Sequence, residues 1–145
     1  MREDIRELMK AGRTCVLATV SGKEPHCSLM SYATDDDCRE IYMATRRDTK
    51  KYRNIAANPS VSLLIDSRAT GSKNPKIPTR ALTVTGTIQS GVDEQRKKMI
   101  RSMLCKHHPD LIEFFDDPSL EMIVVQVKAL QLLDGITDAY YEKIL

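Results

Sequence analysis

Residues 13–66 read RTCVLATVSGKEPHCSLMSYATDDDCREIYMATRRDTKKYRNIAANPSVSLLID. Residues 13–20 are rich in β-favouring side chains, Ser21-Gly22-Lys23-Glu24-Pro25 is a turn signal, and residues 26–33 form a second strand. Asp35-Asp36-Asp37 reads as a solvated turn, and residues 40–45 as a third short strand. Three short strands joined by tight turns predict an antiparallel meander. The period then changes. Residues 48–57 space Tyr52, Ile55 and Ala56 as a helical stripe, with Asp48 as N-cap and Asn58-Pro59 as the stop. Val61, Leu63 and Ile65 alternate along the next strand, residues 60–66.

Upstream, residues 2–11 place Ile5, Leu8 and Met9 on one face of a short helix that Gly12 stops. Downstream, residues 67–79 form a loop with Gly71, Pro75 and Pro78, long enough to suggest a functional or mobile segment. Residues 80–90 return to strand, and Gly86 in their interior predicts a bulge or a close backbone approach. Asp93 caps a helix to Cys105 that buries Met99, Ile100, Met103 and Leu104. A short helical piece at 111–115, a long strand at 121–133 and a terminal helical turn at 137–145 complete the chain. Six strands with a few helices predict a mainly β, α+β fold: one domain, residues 1–145, built as a small antiparallel barrel with flanking helices. Parallel βαβ repetition is absent, which argues against a dinucleotide-binding doubly wound sheet.

The 145 residues suffice for a core without disulfide or metal staples. A formal net charge of +2 gives no broad field for nucleic acid or anionic lipid, so a bound anion needs a local cluster. The N-terminus lacks a secretory apolar core, and the longest apolar runs, such as Ile123-Val124-Val125, are too short to span a bilayer. These features predict a cytoplasmic protein with neither nucleic-acid nor membrane partners. Cys15, Cys27, Cys38 and Cys105 form no CxxC pair and read as reduced structural thiols. Cys105, His107 and His108 offer at most three ligands, short of a structural zinc site.

The chemistry concentrates in Tyr42-Met43-Ala44-Thr45-Arg46-Arg47-Asp48-Thr49-Lys50-Lys51, where a strand runs into a basic turn and then a helix. Lysines in a first helical turn oppose the macrodipole, yet unpaired N–H groups at that end favour an anion. Arg46, Arg47, Lys50 and Lys51 within six residues therefore suit a phosphate, with Thr45 or Thr49 hydroxyls as further donors. The alternative is a solvated basic turn balanced by the Asp35–Asp37 acids. No GxSxG, HExxH, P-loop or GxGxxG pattern occurs. His26 is a candidate proton donor that more often would be an edge-strand residue.

The hairpin of residues 13–33, the strand IYMAT, the basic turn and YRNIAANPSVSLLID, in this order, resemble the core of the pyridoxamine 5'-phosphate oxidase-like split-barrel family. The later strand RALTVTGTI is also similar to that family's. The resemblance implies a six-stranded split β-barrel that binds FMN. It implies that Thr49-Lys50-Lys51 occupies the place of a Ser-Arg-Lys triplet whose two cations grip the FMN phosphate. Ala44-Thr45 would end the third strand beside the flavin. Ser28, Leu29, Met30, Ser31 and Tyr32 would line the ring, and Arg80 stands at the start of the later strand. Met30 and Tyr32 read equally well as barrel core. Two departures stand out. Lys50 replaces an Arg, so a bidentate contact becomes a point charge. Ala81 stands where the oxidases carry a flavin-contacting Gln.

The resemblance implies an FMN-dependent oxidoreductase acting on a small-molecule substrate or an electron donor such as NAD(P)H. A non-catalytic flavin- or haem-binding redox module and a deazaflavin-dependent reductase are the alternatives. It also implies a homodimer with the flavin cleft at the subunit interface. Only two Phe and five Tyr are available to enclose a ring, and residues 67–79 with Arg80 are candidates to complete the partner's site. The sequence lacks Trp, and its tail DGITDAYYEKIL offers no arginine for a substrate phosphate, so the expectation is a relative of the oxidases rather than an authentic one. Arg96, Lys97, Lys98 and Arg101 read as the solvated face of a helix.

Overall fold

A computed structural model describes residues 1–71 and 73–145, so that Ser72 in the predicted 67–79 loop lies outside the described residues. Helix α1 (Glu3–Ala11) leads into β1 (Thr14–Ser21), β2 (Glu24–Ser31), the two-residue β3 (Ala33–Thr34) and β4 (Glu40–Arg46). Helix α2 (Lys50–Ala57), β5 (Ser60–Asp66) and β6 (Arg80–Ile88) follow. Then come α3 (Glu94–His107), a short 3-10 turn, α4 (Ile112–Phe115), β7 (Leu120–Asp134) and β8 (Asp138–Lys143).

The strands form one antiparallel sheet in the order β2-β1-β5-β6-β7-β4-β3, with β8 paired to β7. The two ends of that order, β2 and β3, are consecutive in the chain and separated by Tyr32 alone. The sheet therefore curls until its own chain joins its edges, which makes the mainly β, α+β split barrel. The six predicted strands are all present. The two additional ones are β3, created by the change of partner at Tyr32, and β8.

β8 corrects the expected terminal helical turn. Asp134-Gly135 is a hairpin signal, Gly135 has φ 73°, and Asp138–Lys143 pairs along β7 from Asp134↔Asp138 to Ala129↔Lys143. The alternation of half-buried Tyr140 and Glu142 with exposed Tyr141 is strand periodicity.

Inside the barrel, Leu17, Met43, Leu63, Ile65, Leu82 and Val125 pack with Ile5 and Met9 of α1. Each large buried side chain contributes about 1.5–3 kcal/mol relative to exposure. A second cluster lies on the other face of β4 and β7, where Tyr42, Ala44, Met122 and Val124 meet Ile100 and Leu104 of α3 and Phe115 of α4. Asp93 caps α3, its side chain accepting from the Arg96 N–H at 2.8 Å. Met99, predicted to be buried, is 54% exposed, because the helix presents only a narrow stripe to the sheet. Gly86 explains itself: the β6–β7 register shifts between Thr85 and Gly86, and a Cβ there would lie 2.5 Å from Val125 Cγ1. Among the described residues no helix is long and apolar enough to cross a membrane.

Candidate functional site

The basic turn between β4 and α2 is built by two threonines. Thr49, rather than the predicted Asp48, caps α2: its Oγ1 accepts from the Tyr52 N–H at 3.3 Å. The same hydroxyl donates to the Arg46 carbonyl at 2.9 Å and lies 3.3 Å from Thr45 Oγ1. Thr45 is buried. The threonine hydroxyls thus shape the turn, and the donors left for a ligand are the ammonium and N–H groups at the helix start.

The cations of this turn divide into two sets. Arg47 is bound to Glu121 through Nε at 3.0 Å and Nη2 at 2.7 Å, and Lys97 of α3 reaches the same carboxylate at 2.7 Å. Burial pushes the Glu121 carboxyl up, but the hydrogen bonds from Lys97 and Arg47 outweigh it and hold the group below its usual range. The acid that balances the turn is therefore Glu121, not the Asp35–Asp37 acids. Among the described residues, Arg46, Lys50 and Lys51 form no ion pair. The backbone N–H groups of Lys50 and Lys51 are also two of the orphan donors at the start of α2.

Across from this turn the barrel is split. β3 pairs with β4 at Ala33↔Tyr42 and Thr34↔Ile41, and there the ladder stops. Among the described residues β2 pairs with β1 alone. Residues 28–31 of β2 and 43–46 of β4 thus carry backbone edges that no ladder joins. The cross-strand pairs Leu17↔Ser28 and Thr19↔His26 put half-buried Ser28 and His26 on the inner face of β2. Asn54 of α2 donates to Thr19 Oγ1 at 3.1 Å, which brings α2 to the same end as His26.

The other predicted residues separate. Met30 and Tyr32 are core, at 5% and 0% exposure, so their side chains cannot face a ring. Leu29 is 74% exposed on the outer face. Ser31 is half-buried opposite Thr14. Ala44 is buried toward α3. Arg80 binds Asp4 at 2.9 Å beside α1. β6 runs about 27 Å from Arg80 to Ile88 at roughly 3.4 Å per residue, so Arg80 lies far from the α2 end of the barrel. His107 and His108 each engage a backbone carbonyl, Gly12 O at 3.2 Å and Tyr32 O at 2.7 Å. Among the described residues no group of three His, Cys, Asp or Glu is placed to hold a metal.

Two features escape the sequence. A cleft of about 570 Å³ opens on the flank of α2, lined by Tyr52, Ile55, Ile88, Val92 and Met122 with Lys97 at its rim. Its walls come from four separate stretches of chain, which no local pattern reveals. Of the four α3 cations predicted to be solvated, two are tied down: Arg96 binds Glu40 at 2.6 Å and Lys97 binds Glu121, while Lys98 is exposed as expected.

The family model described as pyridoxamine 5'-phosphate oxidase matches residues 1–134. No curated protein matches the chain. General stress protein 26 from Bacillus anthracis is similar in structure, with TM-score 0.71 and 23% identity over 98% of this chain and 97% of that one. An FAD-binding protein from Mesorhizobium loti gives TM-score 0.71 at 17% identity, covering 91% of this chain and 94% of that one. A haem-binding protein from Mycobacterium smegmatis gives TM-score 0.82 at 15% identity, covering 97% of this chain but 57% of that one. At such identities these likenesses establish the fold.

Proposed function

The chain belongs to the pyridoxamine 5'-phosphate oxidase family, and on that premise we propose that it binds FMN in the split between β2 and β4 and works as a flavin-dependent oxidoreductase. The observation that carries this reading is the sorting of charge at the basic turn. Glu121 occupies Arg47 and Lys97, while Lys50 and Lys51 keep both ammonium and backbone donors at a capped helix start. That is the donor set of a phosphate site.

The phosphate would rest on Lys50 and Lys51. The unpaired edges at 28–31 and 43–46 supply backbone donors and acceptors for the polar rim of the ring. Hydride or electron transfer is the chemistry that the flavin brings when bound. The protein's part is to hold the phosphate, orient the ring by its backbone and keep His26 on the inner face of β2 as a candidate proton donor.

The outer sheet face supports a homodimer. One cross-strand row reads Leu29, Val16, Leu64, Thr83, Gln131, Tyr141. The next reads Cys27, Ala18, Ser62, Thr85, Ala129, Lys143. Lys143 is the single charge in both rows, although Leu29 and Tyr141 are 74% and 67% exposed. A broad uncharged face suits a second copy. Arg80 and Lys50 lie toward opposite ends of one barrel, and pairing of two copies is the arrangement in which they could serve one flavin.

The test is the identity of the chromophore in purified protein, by visible spectrum and mass. FMN supports the reading; haem or a deazaflavin contradicts it. Turnover of NADH or NADPH separates an oxidoreductase from a carrier.

A further inference from the structure

The split depends on what happens at Tyr32, the residue between β2 and β3. Its N–H still follows the β1 ladder, donating to the Arg13 carbonyl at 3.2 Å. Its carbonyl does not. It accepts from Nε2 of His108, 2.7 Å away, at the C-terminus of α3, and both side chains are essentially buried. The Tyr32 hydroxyl donates to the Met9 carbonyl of α1 at 2.6 Å. Neighbouring His107 takes the Gly12 carbonyl at 3.2 Å, and a Cβ at Gly12 would run into the Tyr32 hydroxyl. Three elements, α1, β1 and α3, thus converge on the one residue where the strand leaves β1 for β4.

We propose that His108 is a positioning residue for the split: by taking the Tyr32 carbonyl it fixes where β2 parts from β4, and so sets the edge at 28–31 against which a flavin ring would lie. The role in flavin binding rests on the proposed function; the role in holding β2 does not. The imidazole supplies the bond that the next rung of the ladder would otherwise have made, and it does so from a helix packed on the opposite face of β4. A buried carbonyl without such a donor must find another partner by moving the strand.

The test compares wild type, His108→Leu and His108→Gln. Leu removes the donor at similar volume; Gln keeps an N–H. Amide hydrogen exchange of the ligand-free protein is read at 28–32 and, as reference, along β5 and β6. We expect His108→Leu to accelerate exchange at 28–32 at least tenfold with the reference strands little changed, and His108→Gln to stay near wild type. In binding titrations, His108→Leu should weaken FMN and riboflavin alike, at least fivefold, because the effect acts on the ring side rather than the phosphate. Unchanged exchange at 28–32, equal acceleration in all strands, a Gln variant indistinguishable from Leu, or unaltered flavin affinities with altered exchange would each overturn the proposal. If the wild type binds neither flavin, the proposed function fails, and the exchange comparison alone still decides whether His108 holds β2.

Discussion

Arg47 and Glu121 lie 74 positions apart in sequence, yet they are joined by two hydrogen bonds, at 3.0 and 2.7 Å, from one guanidinium to one carboxylate oxygen. Lys97 shares that carboxylate. The group stands beside the proposed phosphate site and subtracts charge from it. Glu121→Gln should release both cations and tighten FMN by about 0.5–1 kcal/mol, the scale of a partly exposed pair, with less effect at high salt. Riboflavin should not respond. Weaker FMN binding in this variant would place Glu121 elsewhere in the function.

The close approach at Gly86 gives a stability prediction. Gly86→Ala would set a Cβ 2.5 Å from Val125 Cγ1 and 2.7 Å from the Gln126 carbonyl at the bulge. Overpacking of this kind costs about 1–3 kcal/mol, measurable as a lower denaturation midpoint with an unchanged slope. An unaltered midpoint would show that the bulge relaxes freely.

Much of this architecture was legible in the sequence. Gly86 announced the bulge, Asp93 the cap of α3, and the alternation of Val61, Leu63 and Ile65 gave β5 its residue bounds. These are local signals, read within a few residues. The failures share a cause, which is dependence on distant partners. Tyr140 and Tyr141 look compatible with a helical turn until β7 is present to pair with them. Arg96 and Lys97 look solvated until folding brings Glu40 and Glu121 beside them. Asp48 is as good a cap by type as Thr49, and the choice falls to Thr49 because its hydroxyl also reaches Arg46. Of the candidate site, the basic turn and β2 were legible. For Met30 and Tyr32 the sequence left barrel core and flavin contact equally open, and their burial selects the core; the opening between β2 and β4 follows from sheet closure, which no single segment encodes.

The outer face predicts assembly. Leu29→Asp or Leu64→Asp puts a charge into the central uncharged row, where Leu29 and Leu64 flank Val16. Either change should shift a dimer to monomer in sedimentation while leaving the circular dichroism spectrum intact. A wild type that sediments as a monomer with flavin bound would contradict the shared cleft.

His108 predicts a pH dependence. Burial lowers its pKa from 6.5, against the bond to the Tyr32 carbonyl, which raises it; His107 and Arg13 add to the lowering and Asp110 opposes it. Because the folded value is depressed, the unfolded chain binds the proton more readily. Stability is then full above pH 6.5 and falls as pH drops toward the folded value, with a slope of at most about 1.4 kcal/mol per pH unit. Denaturation at pH 7.5, 6.5 and 5.5 should show this loss in wild type and a flatter profile in His108→Gln. Equal profiles would remove His108 as the source.

On the proposed function, Lys50 and Lys51 hold the phosphate of FMN. That role is tested most directly by titrating wild type, Lys50→Ala and Lys51→Ala with FMN and with riboflavin, which lacks the phosphate. Each substitution should weaken FMN by about 1.5–3 kcal/mol, the range for hydrogen bonds to a charged group. Riboflavin should bind far more weakly to wild type and be indifferent to either substitution. No FMN binding by the wild type at micromolar protein, or equal losses for FMN and riboflavin, would contradict it.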